Sequence, residues 1–318
     1  MSTVLLVSLG ATPGLRASDE ELAASIERAG ASVELAAAAP PRAARTLALT
    51  DLGWALAARR AALAALARSR PDAVLYSTIT AALLAPRPGA IRLDALAASN
   101  RPGRHGVWQR PRERAVLARA TLLVPVSESA LAGAPARHAP AVVVPIAVER
   151  SGPVGDRDIA AITYAADARK KGLDRVLAAW ALARRDGEEL LVAGSAPVAD
   201  AEGVRALGAL PREEYRALLR RSRIYVSAPR REEYGIAQLE ALADGAMLVA
   251  LSGGPSYAAL PLARAADPRL VGSDLALQIR IALDDPPALY APALDAFSPR
   301  SVDRLVAEAL LPALLPHA

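Results

Sequence analysis

The chain has 318 residues, enough for two domains of roughly 150 residues that each bury a core, and 53% of it is hydrophobic. It has no cysteine, which excludes disulfides, thiolate metal sites and cysteine nucleophiles; the three histidines, His105, His138 and His317, are too scattered to suggest a histidine metal cluster. The net charge of +5 suits anionic ligands, yet aromatic residues make up only 3% and do not interleave with the basic ones, which argues against nucleic acid.

Thr3 to Ser8 reads as a first strand and not as an export leader, and no uncharged apolar run reaches membrane-spanning length, so the expected location is cytoplasmic. Gly10-Ala11-Thr12-Pro13-Gly14 follows as a loop, with Gly10 and Gly14 letting a ligand approach the backbone. Its spacing is not the Gly-x-Gly-x-x-Gly of a dinucleotide dehydrogenase. Ser18 and Glu21 suggest a capping box for a helix running to Gly30. Strands are expected at Ser32 to Ala36, Ala73 to Ser77, Ala90 to Asp94, Thr121 to Val126 and Val142 to Ile146, with helices over Leu52 to Arg68 and Pro111 to Arg119. Short apolar runs alternating with helices predict a parallel sheet. The stretch from Asp94 to Arg110 gathers Asn100, Arg101, Arg104, His105, Trp108 and Gln109 around two glycines, the composition of a ligand loop. Arginines at 59, 60, 68 and 70 leave open a weak association with a membrane surface.

Ser151 to Asp158 has linker composition, and a second alternation starts at Ile159. It runs through a strand to Ala165, a helix over Leu173 to Arg184, strands at Leu190 to Ala193 and Val204 to Leu207, a helix over Arg212 to Arg221, and strands at Ile224 to Ser227 and Met247 to Leu251. A last helix is expected from Pro299 to Leu315. Between the last two strands of that series lies the most informative stretch, Glu232-Glu233-Tyr234-Gly235-Ile236-Ala237-Gln238-Leu239-Glu240, then Asp244-Gly245. Gly235 supplies a turn, Ile236 to Ala243 a short helix, and Gly245 its stop. Glu240 shares a stripe with Ile236 and Ala243, so a carboxylate stands where an apolar side chain is expected, and it needs a partner. The helix start offers unpaired N–H groups to an anion. Lys170-Lys171-Gly172-Leu173-Asp174 and Gly194-Ser195 also follow predicted strands, the edge where open parallel sheets bind ligands. Taken singly, each is equally the composition of a surface turn.

Together these residues resemble the retaining, nucleotide-sugar-dependent glycosyltransferases of the family-4 type. Glu232 and Glu240 with Tyr234-Gly235 are similar to that family's paired-glutamate motif. Lys171-Gly172 with Asp174 resembles its Lys-Gly-Asp segment, Leu191 to Gly194 its strand-Gly element, and Pro145, Val148 and Glu149 the segment closing its first domain. The resemblance covers most of residues 142 to 254 and implies the GT-B fold: α/β, with two Rossmann-like domains of parallel sheets facing across a cleft. It divides the chain into residues 1–148 on the acceptor side, 149–298 for the donor, and a 299–318 helix returning to the first domain. It further implies that Glu240 binds the ribose, Glu232 contacts the transferred sugar, the amides of Gly235, Ile236 and Ala237 meet the diphosphate beside Tyr234, and Lys171 neutralises the leaving group without a metal or other cofactor. The expected partners are a nucleotide sugar and a hydroxyl acceptor. His105, in the polar loop, would orient or deprotonate the acceptor hydroxyl or contact the donor sugar, with Gly10 and Gly14 letting the backbone approach donor or acceptor and Gly194 lining the ligand. The family's arginine five residues before Lys171 is Ala166 here, so Arg169, Lys170 or the Arg230-Arg231 pair would have to replace it. A silent sugar-nucleotide-binding homologue and a nucleotide-sugar epimerase are the alternatives.

Overall fold

The structure, a computed structural model of the chain, describes residues 2–316 except 102, 133, 135–138, 196 and 199–200, and describes only the backbone of Pro13, Ser99, Arg104 and His105. His138 and His317 lie outside the described residues.

The chain forms two compact units, residues 1–147 with 299–318, and 148–298. In the first, β1 (Thr3–Ser8), β2 (Ser32–Ala37), β3 (Ala73–Tyr76), β4 (Ala90–Leu93) and β5 (Leu123–Pro125) form a parallel sheet in the order β2-β1-β3-β4-β5. The near-continuous apolar runs of β1, β3, β4 and β5 follow from burial on both faces, while β2, at the edge, is partly exposed. One face packs against Ala57, Ala58, Ala62 and Ala65 of the helix Leu47–Arg68. The other packs against Leu22 and Ile26 of the helix Pro13–Arg28 and against Val302, Val306, Leu310 and Leu314 near the C-terminus. The C-terminal helix widens to a π turn over Val306–Leu310 between Pro299–Leu305 and Leu311–Leu314. Pro312 explains the widening, because its ring would press on the carbonyl of Glu308 in a regular helix.

Two local expectations are corrected. The first helix starts at Pro13, capped by Thr12, whose hydroxyl accepts from the Leu15 N–H at 3.2 Å. Thr-Pro is a complete start signal, so Ser18 and Glu21 fall inside the helix and Gly14 in its first turn. Val142 to Ile146 forms no strand; a single bridge joins Ala141 to Leu123, with Val142 and Val144 donating to Leu123 and Pro125 at 2.9 Å each. Pro140 and Pro145 bracket a segment that follows the β5 edge too briefly to count as one.

The second unit has β6 (Ile159–Tyr164), β7 (Leu190–Ala193), β8 (Val204–Gly208), β9 (Ser222–Ser227), β10 (Met247–Leu251) and β11 (Val271–Gly272), all parallel, in the order β11-β10-β9-β6-β7-β8. Trp180, Leu173 and Val176 cover one face together with Ile279 and Leu283 of the helix Leu275–Asp284. No helix among the described residues is long and apolar enough to cross a membrane.

Candidate functional site

From β6 the second sheet grows one way through β7 and β8, and the other way through β9, β10 and β11. The order therefore reverses between β6 and β9, and the loops leaving their carboxyl ends diverge to leave a crevice. Those loops are residues 165–172 and 228–235, and their backbones are tied together: the N–H groups of Arg230 and Arg231 donate to the Lys170 carbonyl at 2.9 and 3.2 Å. Gly172 turns with φ of +64°, and a Cβ there would overlap the Ala228 carbonyl oxygen. Gly194, after β7, has φ of +112°, and a Cβ would come within 2.6–2.8 Å of the Ala165 and Ala166 backbone. Both glycines are thus required by close backbone approach.

The helix Ile236–Ala243 leaves the second loop through Gly235, which is left-handed and gives no side-chain cap. The first intrahelical bond is Leu239 N–H to Gly235 at 3.1 Å, so the N–H groups of Ile236, Ala237 and Gln238 have no helical acceptor. At the other end Gly245 donates to Leu242 at 3.0 Å and Ala246 to Ala241 at 2.8 Å, a Schellman stop. Every residue from Ala237 to Ala243 is buried, so the helix has no solvated face to hold its two polar side chains, Gln238 and Glu240.

Glu240 is held by two arginines of the helix Arg212–Arg221. Arg212 donates Nε and Nη2 to Oε1 at 3.0 and 2.7 Å, and Arg216 reaches the same oxygen at 3.4 Å. Arg216, itself buried, also bonds the wholly buried Asp244 at 2.5 Å and the Glu149 carbonyl at 2.7 Å. Oε2 of Glu240 takes no donor from the described residues. Beneath Glu240, the rings of Tyr164 and Tyr215 meet at 5.5 Å, and burial, with the Glu240 charge adding to it, raises both phenol pKa values. Glu232 is held in a parallel manner: its Oε2 accepts from Lys171 Nζ at 2.6 Å and from Gln238 Nε2 at 3.1 Å, and Oε1 takes no donor from the described residues.

The remaining charges of the two loops mostly pair off. Lys170 meets Glu233 at 2.5 Å and Arg231 meets it at 3.1 Å. Burial, the largest single influence, would push the Glu233 carboxyl up, but the Lys170 charge and hydrogen bond together with the Arg231 charge outweigh it and hold the pKa below the usual range. Arg230 clamps Asp174 at 2.5 and 2.6 Å and holds that carboxyl at about 2. Of the cations proposed to replace the missing arginine at Ala166, Arg169 is exposed and has no ion pair among the described residues.

Lys170, Lys171, Glu232, Tyr234, Gly235, Ile236, Ala237 and Glu240 are thus brought to one edge of the second sheet. Gly194 lies at the same edge, where its backbone packing is sufficient reason for the residue. Gly10, Gly14 and His105 belong to the first unit: Gly10 follows β1, and His105 lies in the 3₁₀ turn Gly103–Gly106 with its side chain outside the description. The surrounding loop is pinned to the helix Leu47–Arg68 by its own polar residues. Arg101 meets Asp51 at 2.6 and 3.0 Å, Gln109 reaches Asp51 at 2.9 Å, and Trp108 donates to Ala48 at 3.1 Å. These three side chains have packing roles that the loop's composition does not reveal. Sequence reasoning also passed over Arg212, Arg216 and Gln238; the i, i+4 spacing of the two arginines on a helix after a strand was the available signal.

Residues 158–268 match the family model described as Glycosyl transferases group 1. A phosphatidyl-myo-inositol mannosyltransferase of Propionibacterium freudenreichii subsp. shermanii is 46% identical over 88 residues, which is 26% of this chain and 23% of that protein. Among solved structures, Anabaena Alr3699/HepE in complex with UDP and glucose is 15% identical, covers 98% of this chain and 100% of its own, and superposes with a TM-score of 0.72. WaaG, a glycosyltransferase involved in lipopolysaccharide biosynthesis, is 14% identical over 96% of this chain and 95% of its own, with a TM-score of 0.64. The chain has the GT-B fold of these glycosyltransferases, and the match to the group 1 glycosyl transferase model falls within its second unit.

Proposed function

We propose that the protein transfers a sugar from a nucleotide-diphosphate donor to an acceptor hydroxyl with retention of anomeric configuration, in the manner of family-4 enzymes and without a required metal. The observation that carries this reading is the arrangement at the β6/β9 switch point: two glutamates, each held by one oxygen with the other taking no donor from the described residues, on either side of three N–H groups without a helical acceptor. Oε2 of Glu240 accepts from a ribose hydroxyl, Oε1 of Glu232 from the transferred sugar, and the amides of Ile236 and Ala237 with Lys171 take the diphosphate. Arg169 supplies the charge that Ala166 lacks. The bond from the anomeric carbon to the diphosphate breaks as the bond to the acceptor oxygen forms on the same face, and the acceptor proton passes to a diphosphate oxygen. His105 and the Gly10 to Gly14 segment are assigned to the acceptor side. UDP, bound in the Anabaena structure, and GDP are the first nucleotides to test.

A thermal-shift screen over nucleoside diphosphates and their sugars tests the reading, because a ligand that binds only the folded protein raises its melting temperature. Glu240→Gln should weaken the nucleotide that shifts the wild type by about 10-fold or more, the worth of a hydrogen bond to a charged group. Unchanged affinity and unchanged turnover would remove Glu240 from the site. Full activity after exhaustive chelation supports the metal-free form of the reading, and loss restored by a divalent cation overturns it.

A further inference from the structure

The helix Ile236–Ala243 is buried from Ala237 to Ala243, and position 238 is flanked in the chain by Ala237 and Leu239. It holds a glutamine, 2% exposed. Its Nε2 donates to Glu232 Oε2 at 3.1 Å and to Ser227 Oγ at 3.1 Å, while Tyr257 donates its hydroxyl to the same Ser227 oxygen at 3.2 Å. The carbonyl end of the amide, Oε1, is buried with no partner among the described residues. Turning the amide over would not relieve this, because Oε1 would then face the Glu232 carboxylate oxygen with no proton between two acceptors. The charge on Glu232 therefore sets the amide orientation. A buried acceptor left unpaired is unfavourable, so the amide is kept here for its donor end, which reaches Glu232 and Ser227.

We propose that Gln238 is a positioning residue for Glu232, a role that rests on the sugar-transfer reading. Lys171 brings charge on a flexible stem, whereas Gln238 brings a directed donor from a rigid, buried helix, itself steadied by Ser227 and Tyr257. Both donate to Oε2, so the carboxylate is fixed by one edge and Oε1 is presented as a single oriented acceptor for a hydroxyl of the transferred sugar. The nucleotide is held by other groups, namely Glu240, the helix amides and Lys171. Gln238 thus affects the sugar step and not nucleotide affinity.

The test uses the full chain and two substitutions. Gln238→Met keeps length and burial and removes the donor; Gln238→Glu places a second carboxylate against Glu232. Affinities for UDP and GDP are measured by calorimetry, and release of nucleoside diphosphate is followed with UDP-glucose, UDP-N-acetylglucosamine and GDP-mannose. In Gln238→Met the wild-type nucleotide should bind within about threefold of its wild-type Kd with the melting temperature held, while kcat falls about 10- to 100-fold, the size of one lost hydrogen bond to a charged group. In Gln238→Glu the two carboxylates share a proton, so kcat should recover as pH falls, a dependence the wild type lacks. A kcat within twofold of wild type in Gln238→Met overturns the proposal and leaves the functional reading standing. So does a loss of nucleotide binding in step with a falling melting temperature, which makes Gln238 structural. A wild type that neither binds nor turns over any of the panel overturns the functional reading, and the positioning role with it.

Discussion

Arg216 provides the sharpest test of how the site is held. Its guanidinium lies between two buried carboxylates, Asp244 at 2.5 Å and Glu240 at 3.4 Å, and it also donates to the Glu149 carbonyl at 2.7 Å. Replacing it by methionine keeps much of the stem packing and removes all of these bonds. Breaking a buried pair by deleting one partner typically destabilises by about 3–5 kcal/mol, because the other charge is left uncompensated. Here each carboxylate keeps other donors: Asp244 has the Ser151 N–H at 2.8 Å and hydroxyl at 2.9 Å, and Glu240 has Arg212. That places the effect at the lower end, about 3 kcal/mol, or about 6–12 °C in melting temperature for a unit of this size. Calorimetric melting of Arg216→Met measures it, and the double substitution Arg216→Met with Asp244→Asn should recover more than half of the loss, since the stranded charge is then gone. A single variant melting within about 2 °C of wild type would refute the reasoning.

Other consequences are simpler to state. Gly172→Ala forces a left-handed residue into the Ala228 carbonyl and should cost more than about 3 kcal/mol, read as a lower denaturation midpoint or as loss of soluble protein; a neutral effect would mean the two loops are not in backbone contact. The Arg230–Asp174 pair is exposed, so although Asp174 is held at about 2 from an ordinary 3.8, its contribution is under about 1 kcal/mol. A depressed carboxylate stabilises the fold above its unfolded pKa and stops doing so as pH falls through the folded one. The melting difference between wild type and Asp174→Asn should therefore be present at pH 6, shrink from about pH 4 and vanish near pH 2. Arg169→Ala should raise the Kd for a nucleoside diphosphate severalfold with little change for the nucleoside, and equal effects on both would remove Arg169 from the phosphate.

Much of the second unit is legible in the sequence because its signals are local. Ile236–Ala243 is bracketed by Gly235 and Gly245, both needed for left-handed turns, and the strands before and after it are short, mostly buried runs. Failures come where two signals compete or where partners are distant in sequence. Ser18 and Glu21 spell a capping box, but Thr12-Pro13 comes first in the chain, and a helix once started continues through an internal serine. The loop from Asp94 to Arg110 has the composition of a binding loop, yet Arg101 and Gln109 find Asp51 and Trp108 finds Ala48, about fifty residues or more away, a pairing no local pattern encodes. Glu240 illustrates the middle case. Its stripe shows that a partner is needed, while the identity of that partner, Arg212 with Arg216, depends on the tertiary placement of the helix after β8.

The pairing of charges bears on how an anion would be held. Around the two loops the acidic residues claim nearly every cation in reach: Glu233 takes Lys170 and Arg231, Asp174 takes Arg230, Glu232 takes Lys171 and Glu240 takes Arg212. A ligand phosphate must compete with a carboxylate for each of these. Lys171 is the partner most readily shared, because an ammonium has three donors and Glu232 accepts one of them at 2.6 Å, leaving two for a phosphate without breaking the pair. The guanidinia of Arg212 and Arg230 are engaged through two nitrogens each and would have to release part of that contact. Diphosphate binding should accordingly rest on Lys171, Arg169 and the open amides. Its salt dependence should then reflect about two cationic contacts and not the dense basic sequence of the loops.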